Sequence, residues 1–307
     1  AVSQNRQPLK ILGVHPAGRP APAIQAGDEC YEVMTGSVLP RGCERVIPVE
    51  VTRREGAQLH WDEAAVASMK SHVQAQASEY QRGEILIRAG TRLEPVHIAV
   101  LASEGSGEVR VSRRPRVALV STGDELVDPG LPIESHQIRR SNPYALASLL
   151  QAWNLATTEL HHFRDDERIL SEGLAKLLET VDILMLTGGV SMGLYDLLPQ
   201  VLGELGVEKI FHKVAQRPGK PLFFGRSTKN VPVFAFPGNA VSSFVGLRRY
   251  AIPYLLKGMG HETQVRELEL ARPVAGKSGF TIFMPVRVEG GRAEPRPLVS
   301  SGHFAGL

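Results

Sequence analysis

Between Arg116 and about Gly258 the chain repeats one order: a short apolar run, a loop, then a longer run with apolar residues at helical spacing. "RVALVST", "TTELHHF" and "DILMLT" are short, apolar and partly β-branched, and predict strands. "SNPYALASLLQAW" predicts a helix with Asn142 as N-cap and Pro143 at the first helical position. "DDERILSEGLAKLLETV" gathers Ile169, Leu170, Leu174, Leu177 and Leu178 on one face, the signature of an amphipathic helix. "YDLLPQVLGELG" predicts a short helix that carries Pro199 in its first turn. "EKIFHKV", "PLFFG" and "VPVFAF" read as strands, and "AVSSFVGLRRYAIPYLLKG" as a long helix kinked by Pro253. Such alternation predicts an α/β layer fold with a mostly parallel sheet. Ligands of these sheets bind outside the carboxyl ends of the strands.

On either side the pattern changes. Residues 1–75 hold short apolar runs broken by Gly and Pro, such as "LKILGVHPAG", "CYEVMTG" and "RVIPVEVTRR", and predict a β-rich domain. Residues 76–113 predict a partial helical or linker domain, in which Pro95 opens a helix with Ile98, Leu101 and Ala102 on its apolar face. The α/β domain covers 114–260. Residues 261–307, including "FTIFMPVRVEGG", predict a C-terminal β domain.

Composition narrows the function. With 307 residues, 43% hydrophobic and 22% charged, the chain is an ordinary globular one with room for more than one domain. The net charge of +3 is spread, and the cluster Arg113, Arg114, Arg116 reads as a solvated linker. No basic stripe adjoins stacking aromatics, which argues against nucleic acid. No apolar run approaches the roughly 18 residues of a membrane span, and no leader opens the chain. Cys30 and Cys43 lack metal-ligand spacing and read as reduced thiols of a cytoplasmic protein. A chain that opens on Ala1 and stops at "VSSGHFAGL" is expected to be processed or truncated.

Four loops leave predicted strand ends: "STGDE" (121–125), "TGGVS" (187–191), "QRPGKP" (216–221) and "FPGNAVSS" (236–243). Glycine lets backbone N–H groups approach a ligand with no Cβ in the way. A helix N-terminus adds free N–H groups and partial positive charge, and so attracts phosphate. Gly188, Gly189 and Ser191 lie at one such junction, and Gly238, Asn239 and Ser242 at another. Arg217 and Lys220 add full positive charge on a proline-stiffened turn. Together these loops suit phosphate or another oxyanion. Asp124 and Asp196 sit beside them, either as carboxylates for Mg²⁺ on a phosphate or as caps, Asp124 of a turn and Asp196 of the next helix. Singly, each loop also reads as a tight turn; their combination on one sheet edge favours a site.

"VALVSTGDEL", "TGGVSMGLYDLLPQVLGELG", "QRPGKPLFFG" and "FAFPGNAVSSFV", in this order, resemble the molybdopterin molybdenumtransferase family, as do "MTGSVLPRGCERVIP" and "AGTRL" upstream. The resemblance implies a central three-layer molybdopterin-binding domain between small β-rich domains, in an elongated homodimer. It implies insertion of molybdate into adenylylated molybdopterin, with release of AMP and help from Mg²⁺. On that basis Thr122, Gly123, Asp124, Thr187, Gly188, Gly189, Ser191, Gly219, Pro237, Gly238, Asn239 and Ser242 would hold the pterin substrate. Asp196 and Asp124 would hold Mg²⁺. Arg217 and Lys220, with Ser191, would form the molybdate pocket, and Asp196, Lys220 and Arg217 would be the catalytic group. Molybdopterin adenylyltransferase and molybdoenzyme maturation factors are the implied protein partners.

This chain departs from the family pattern in places. The "DGYA" stretch is absent, and "HVQAQASE" (72–79) keeps only the final acid, Glu79, of "RxxGED". Arg140 replaces an Asp, Ala240 a Pro, and Phe280 and Ile282 an arginine and an acid. Three other readings stand beside the enzyme: a molybdopterin-binding protein without metal transfer, a scaffold, and a molybdopterin adenylyltransferase. The extra β segments count against the last.

Overall fold

The structure is a computed structural model, in which residues 7–190, 197–261 and 265–296 are described. The chain divides into two compact units, residues 1–86 and 87–307.

In the first unit the strands are β1 (Leu9–His15), β2 (Glu29–Val33), β3 (Thr52–Glu55) and β4 (Gln58–Trp61), followed by helix α1 (Glu63–Ala67). They form one sheet in the order β2-β1-β4-β3, with β1 and β2 parallel and the other pairs antiparallel. Leu9, Cys30, Trp61 and Val66 make its core. Asp62 caps α1 by accepting from the Ala64 and Ala65 N–H groups. Cys30 and Cys43 are buried and unbridged, and burial pushes both thiols up.

The second unit opens with α2 (Pro95–Ser103), which Pro95 starts as expected. The expected apolar face does not find a core: Ile98 is exposed and none of the helix's residues is fully buried. Next come β5 (Arg116–Thr122), β6 (Leu126–Val127), β7 (Ile138–Arg139), α3 (Asn142–Ala152), β8 (Thr157–Phe163), α4 (Glu167–Thr180), β9 (Ile183–Thr187) and α5 (Leu198–Glu204). Then follow β10 (Glu208–His212), β11 (Gln216–Arg217), β12 (Phe223–Arg226), β13 (Pro232–Phe236), α6 (Ala240–Gly246) and α7 (Ile252–Gly258). The last elements are β14 (Thr281–Ile282), β15 (Val286–Glu289) and β16 (Arg292–Pro295).

Among the described residues the main sheet has the order β10-β12-β13-β9-β5-β8. Strands β13, β9, β5 and β8 are mutually parallel, and β12 runs against both β13 and β10. One face packs on α4 and α5 through Leu170, Leu174, Val201 and Leu202, and the other on α3, α6 and α7 through Leu146, Leu150, Phe244 and Ile252. The result is the three-layer arrangement that the alternating pattern implies. Strands β5, β9 and β13 are buried on both faces, which is why they read as continuous apolar runs.

Two local details differ from expectation. The N-cap of α3 is Ser141, and Asn142 is its first helical residue, which frees the Asn142 side chain for another contact. Around Pro253 the helix widens into a π-helical segment over Leu247–Ala251. Proline has no N–H to donate and its ring crowds the carbonyl four residues back; the π segment lies across that position and eases the conflict.

At the amino ends of β5 and β9, Asp182 accepts from both terminal nitrogens of Arg113 (2.7 and 2.9 Å) and from the Arg116 N–H (2.7 Å). The Arg113 hydrogen bonds, aided by the Arg116 N–H, hold the Asp182 carboxyl at about 2 against the cost of burial. Asp182→Asn is expected to lower unfolding stability by about 2 kcal/mol at neutral pH, a charge-assisted network's worth. A folded-state pKa below the unfolded value gives stability that is present above the ordinary aspartate range and lost as pH falls toward 2. Urea titrations of both proteins at pH 7 and pH 2.5 should therefore converge at the acid end.

Candidate active site

The carboxyl ends of β5, β9 and β13 lie side by side: Ser121 is in register with Thr187, and Thr187 with Phe236. Because β10 runs in the same sense as β13, the loop after β10 leaves from that same edge. All four sequence-predicted loops therefore exit on one side of the sheet.

The loop after β9 is shaped by glycine. Gly188 has φ +95° and Gly189 φ +61°, backbone that side chains disfavour. A Cβ on Gly188 would stand 2.8 Å from the Thr122 carbonyl oxygen. The Gly188 N–H donates to the Phe236 carbonyl (3.1 Å), which ties this turn to the end of β13. A Cβ on Gly238 would stand 3.7 Å from the Gly188 Cα, so the two glycine loops touch.

The loop after β13 is held from behind. Asn142 Nδ2 donates to the Gly238 carbonyl (2.7 Å). Ser243, fully buried on α6, donates to the Pro237 carbonyl (2.5 Å). These two residues were not among the predicted site residues. Nothing in local patterning marks Asn142, whose partners are nearly a hundred residues away; Ser243 closes the "FPGNAVSS" loop and lies six residues from its partner.

Between the loops lies a cavity of about 570 Å³, within the range of small-molecule sites. Thr122, Thr187, Gly188, Gly238 and Asn239 line it, with the first turn of α3 opposite. Thr122 Oγ1 is buried beneath the Gly188–Gly189 turn and has no hydrogen-bond partner among the described residues. Gly189 faces the Leu198 side chain and Thr122, supporting the turn from inside.

The charged residues are distributed differently from expectation. Asp124 does not line the cavity; its exposed carboxylate accepts from Arg164 Nε (3.0 Å). The neighbouring Glu125 lines it instead, with its carboxylate against Gly123, whose φ is +141°. Arg140 forms part of the wall and is almost fully buried. It donates to Asp128 Oδ1 (2.7 Å) and to the His161 carbonyl (3.0 Å), and so pins the β6–β7 flap to β8. Burial pulls the Asp128 carboxyl up, but the hydrogen bond and charge of Arg140, with the Tyr144 hydroxyl, outweigh it and leave it below its ordinary value.

Arg217, Gly219 and Lys220 sit on the adjoining loop and do not line this cavity. The loop packs on α6, since a Cβ on Gly219 would lie 3.4 Å from the Ser242 carbonyl oxygen. Ser242 itself is buried. Among the described residues neither Arg217 nor Lys220 pairs with a carboxylate, and Lys220 Nζ lies 5.9 Å from the centre of the Phe280 ring. Ser191 and Asp196 lie outside the described residues. The residue preceding α5, Leu197, makes no side-chain cap hydrogen bond.

What this edge can do follows from its parts. With the Gly188 N–H taken by Phe236, the N–H of Gly189 and those at the start of α6 favour a bound phosphate. Two cations on the next loop, unpaired among the described residues, favour a second anion. No helix among the described residues is long and apolar enough to cross a membrane.

Comparison with known proteins agrees with this geometry. Residues 118–257 match the model described as "Probable molybdopterin binding domain", and residues 1–105 that of the "MoeA N-terminal region (domain I and II)". A molybdopterin molybdenumtransferase of Synechocystis is 33% identical over 310 residues, covering 99% of this chain and 77% of that protein. One from Nostoc is 35% identical over 252 residues, covering 81% of this chain but 57% of the relative's length. The crystal structure of the molybdopterin biosynthesis moea protein from Pyrococcus horikosii superposes with a TM-score of 0.76 at 27% identity, over 100% of this chain and 76% of that one. The glycine loops, the three-layer sheet and a relative matched along nearly the whole chain place this protein in the molybdopterin molybdenumtransferase family.

Proposed function

We infer that this chain acts in molybdenum cofactor biosynthesis as an enzyme that inserts molybdenum into molybdopterin. The observation that carries the reading is the meeting of the Gly188 and Gly238 loops over one cavity at the tips of parallel strands. Adenylylated molybdopterin and molybdate are the substrates, and AMP leaves as the pyrophosphate link is cleaved. The glycine turns and the start of α6 hold phosphate through backbone N–H groups. Thr122 and Thr187, at the ends of β5 and β9, offer hydroxyls at the cavity.

Arg217 and Lys220 supply the positive charge that a tetrahedral dianion needs, with Ser191 as a hydroxyl donor. Lys220→Ala is accordingly expected to raise the KM for molybdate about tenfold while the Kd for molybdopterin stays within twofold of wild type. Equal loss of both would remove Lys220 from the molybdate role.

Mg²⁺ belongs to the proposal through the resemblance. Among the described residues there is no group of three His, Cys, Asp or Glu side chains that could hold a metal. Mg²⁺ needs only one or two carboxylates when substrate phosphates complete its shell, so Asp196 with the substrate pyrophosphate is a chemically sufficient donor set. Asp124 could join through its second carboxylate oxygen while Oδ1 accepts from Arg164. The ion would stabilise the charge that develops on departing AMP. A homodimer in the cytoplasm completes the reading; sedimentation at micromolar concentration should give twice the chain mass.

The test is AMP release from adenylylated molybdopterin. Release that depends on molybdate and yields active cofactor supports the enzyme. Tight molybdopterin binding without molybdate-dependent release would make the chain a carrier, and formation of the adenylate from ATP would make it an adenylyltransferase.

A further inference from the structure

Gln216 is a polar residue with only 1% of its surface exposed, at the start of the loop that bears Arg217 and Lys220. Its amide Nε2 donates to the Pro218 carbonyl (3.1 Å) and to the Gly219 carbonyl (3.3 Å). Its Oε1 accepts from the Tyr250 hydroxyl. Every polar atom of the side chain is thus used, and a fully satisfied buried network of this kind specifies one conformation. The loop wraps the amide directly: Gly219 has φ +90°, and a Cβ there would stand 2.8 Å from Gln216 Nε2.

Tyr250 reaches this position from the π-helical segment over Leu247–Ala251. One residue turns an α-helix by about 100°, so without the extra residue of the π turn the Tyr250 hydroxyl would aim elsewhere. Such widened turns recur at functional sites. Phe211 packs beside the Tyr250 ring at 6.4 Å. The rest of the loop is fixed by backbone: Val214 N–H donates to the Lys220 carbonyl (2.9 Å), and Phe283 N–H to the Arg217 carbonyl (2.8 Å).

We propose that Tyr250 and Gln216 are a positioning pair that sets the reach of Arg217 and Lys220 toward an oxyanion. The pair touches neither cation. It holds the two carbonyls between them, and so fixes the spacing and direction of two charges that no carboxylate neutralises among the described residues. The inference rests on the reading of this loop as the molybdate pocket.

The test uses the full chain and steady-state kinetics with adenylylated molybdopterin and molybdate. Tyr250→Phe removes one hydroxyl and keeps the ring packing. It is expected to raise the KM for molybdate five- to tenfold, to leave kcat within twofold, and to leave the Kd for molybdopterin unchanged. Gln216→Met, which keeps volume and loses both donors, should shift the same constant further. In a Lys220→Ala background Tyr250→Phe should add a smaller rise, because one of the two charges it positions is gone. An unchanged molybdate KM in Tyr250→Phe, or an equal rise in both backgrounds, overturns the pair. An unchanged molybdate KM in Lys220→Ala alone overturns the reading of the loop, and the pair with it.

Discussion

Gly188→Ala is expected to weaken molybdopterin binding at least a hundredfold, close to 3 kcal/mol in affinity. The position has φ +95°, and the new Cβ would press within 2.8 Å of the Thr122 backbone oxygen. Backbone cannot swing aside as a flexible side chain can. Either the "TGGVS" turn or the end of β5 must move, and both line the cavity. The Gly188 N–H bond to Phe236 O, which ties the turn to the neighbouring strand, would be strained as well. Gly203 on α5 is the matched control, since a Cβ there meets nothing within 4 Å. Gly203→Ala should bind normally and gain roughly 0.5–1 kcal/mol in stability from the better helix former. Calorimetric titration of both variants with molybdopterin separates the outcomes: wild-type affinity in Gly188→Ala would mean that the turn does not touch the ligand.

Asp196→Ala should lower molybdate-dependent AMP release by roughly 10²–10³, the scale of losing one stabiliser of developing charge. The proposal makes Asp196 the carboxylate that meets the substrate pyrophosphate through Mg²⁺. A helix-capping role would instead cost about 1 kcal/mol of stability and spare turnover. A metal-holding role predicts a thermal midpoint near the wild-type value beside the lost turnover. Asp124→Ala is the informative companion. Its carboxylate is taken by Arg164 at the surface, so a change below threefold is expected. A turnover number near wild type in Asp196→Ala would remove that residue from the chemistry, and a collapse in Asp124→Ala alone would exchange the two roles.

Much of the central sheet was legible because buried parallel strands leave long apolar runs. β5, β9 and β13 stand where "RVALVST", "DILMLT" and "VPVFAF" place them. The face of α4 was equally plain: Leu170, Leu174, Leu177 and Leu178 are all buried, and only Ile169 at its edge is exposed. The convergence of the loops was legible too, since parallel strands must end on the same side.

Less of the support behind them could be read. Asn142 holding Gly238 and Tyr250 holding Gln216 are contacts between distant elements. No periodicity encodes them. Asp124 and Glu125 are adjacent acids in one turn, and which of them faces the cavity depends on the path the backbone takes at Gly123. Arg140 looked like a lost acid by comparison with the family pattern. Only the folded flap reveals its pairing with Asp128.

A crystal structure of the full chain with molybdopterin bound is the most direct measurement. The account predicts the phosphate within hydrogen-bond distance of the Gly189 N–H and of backbone N–H groups at the start of α6, with the pterin in the cavity between β5 and α3. A ligand seated elsewhere, with those N–H groups facing only solvent, would contradict it.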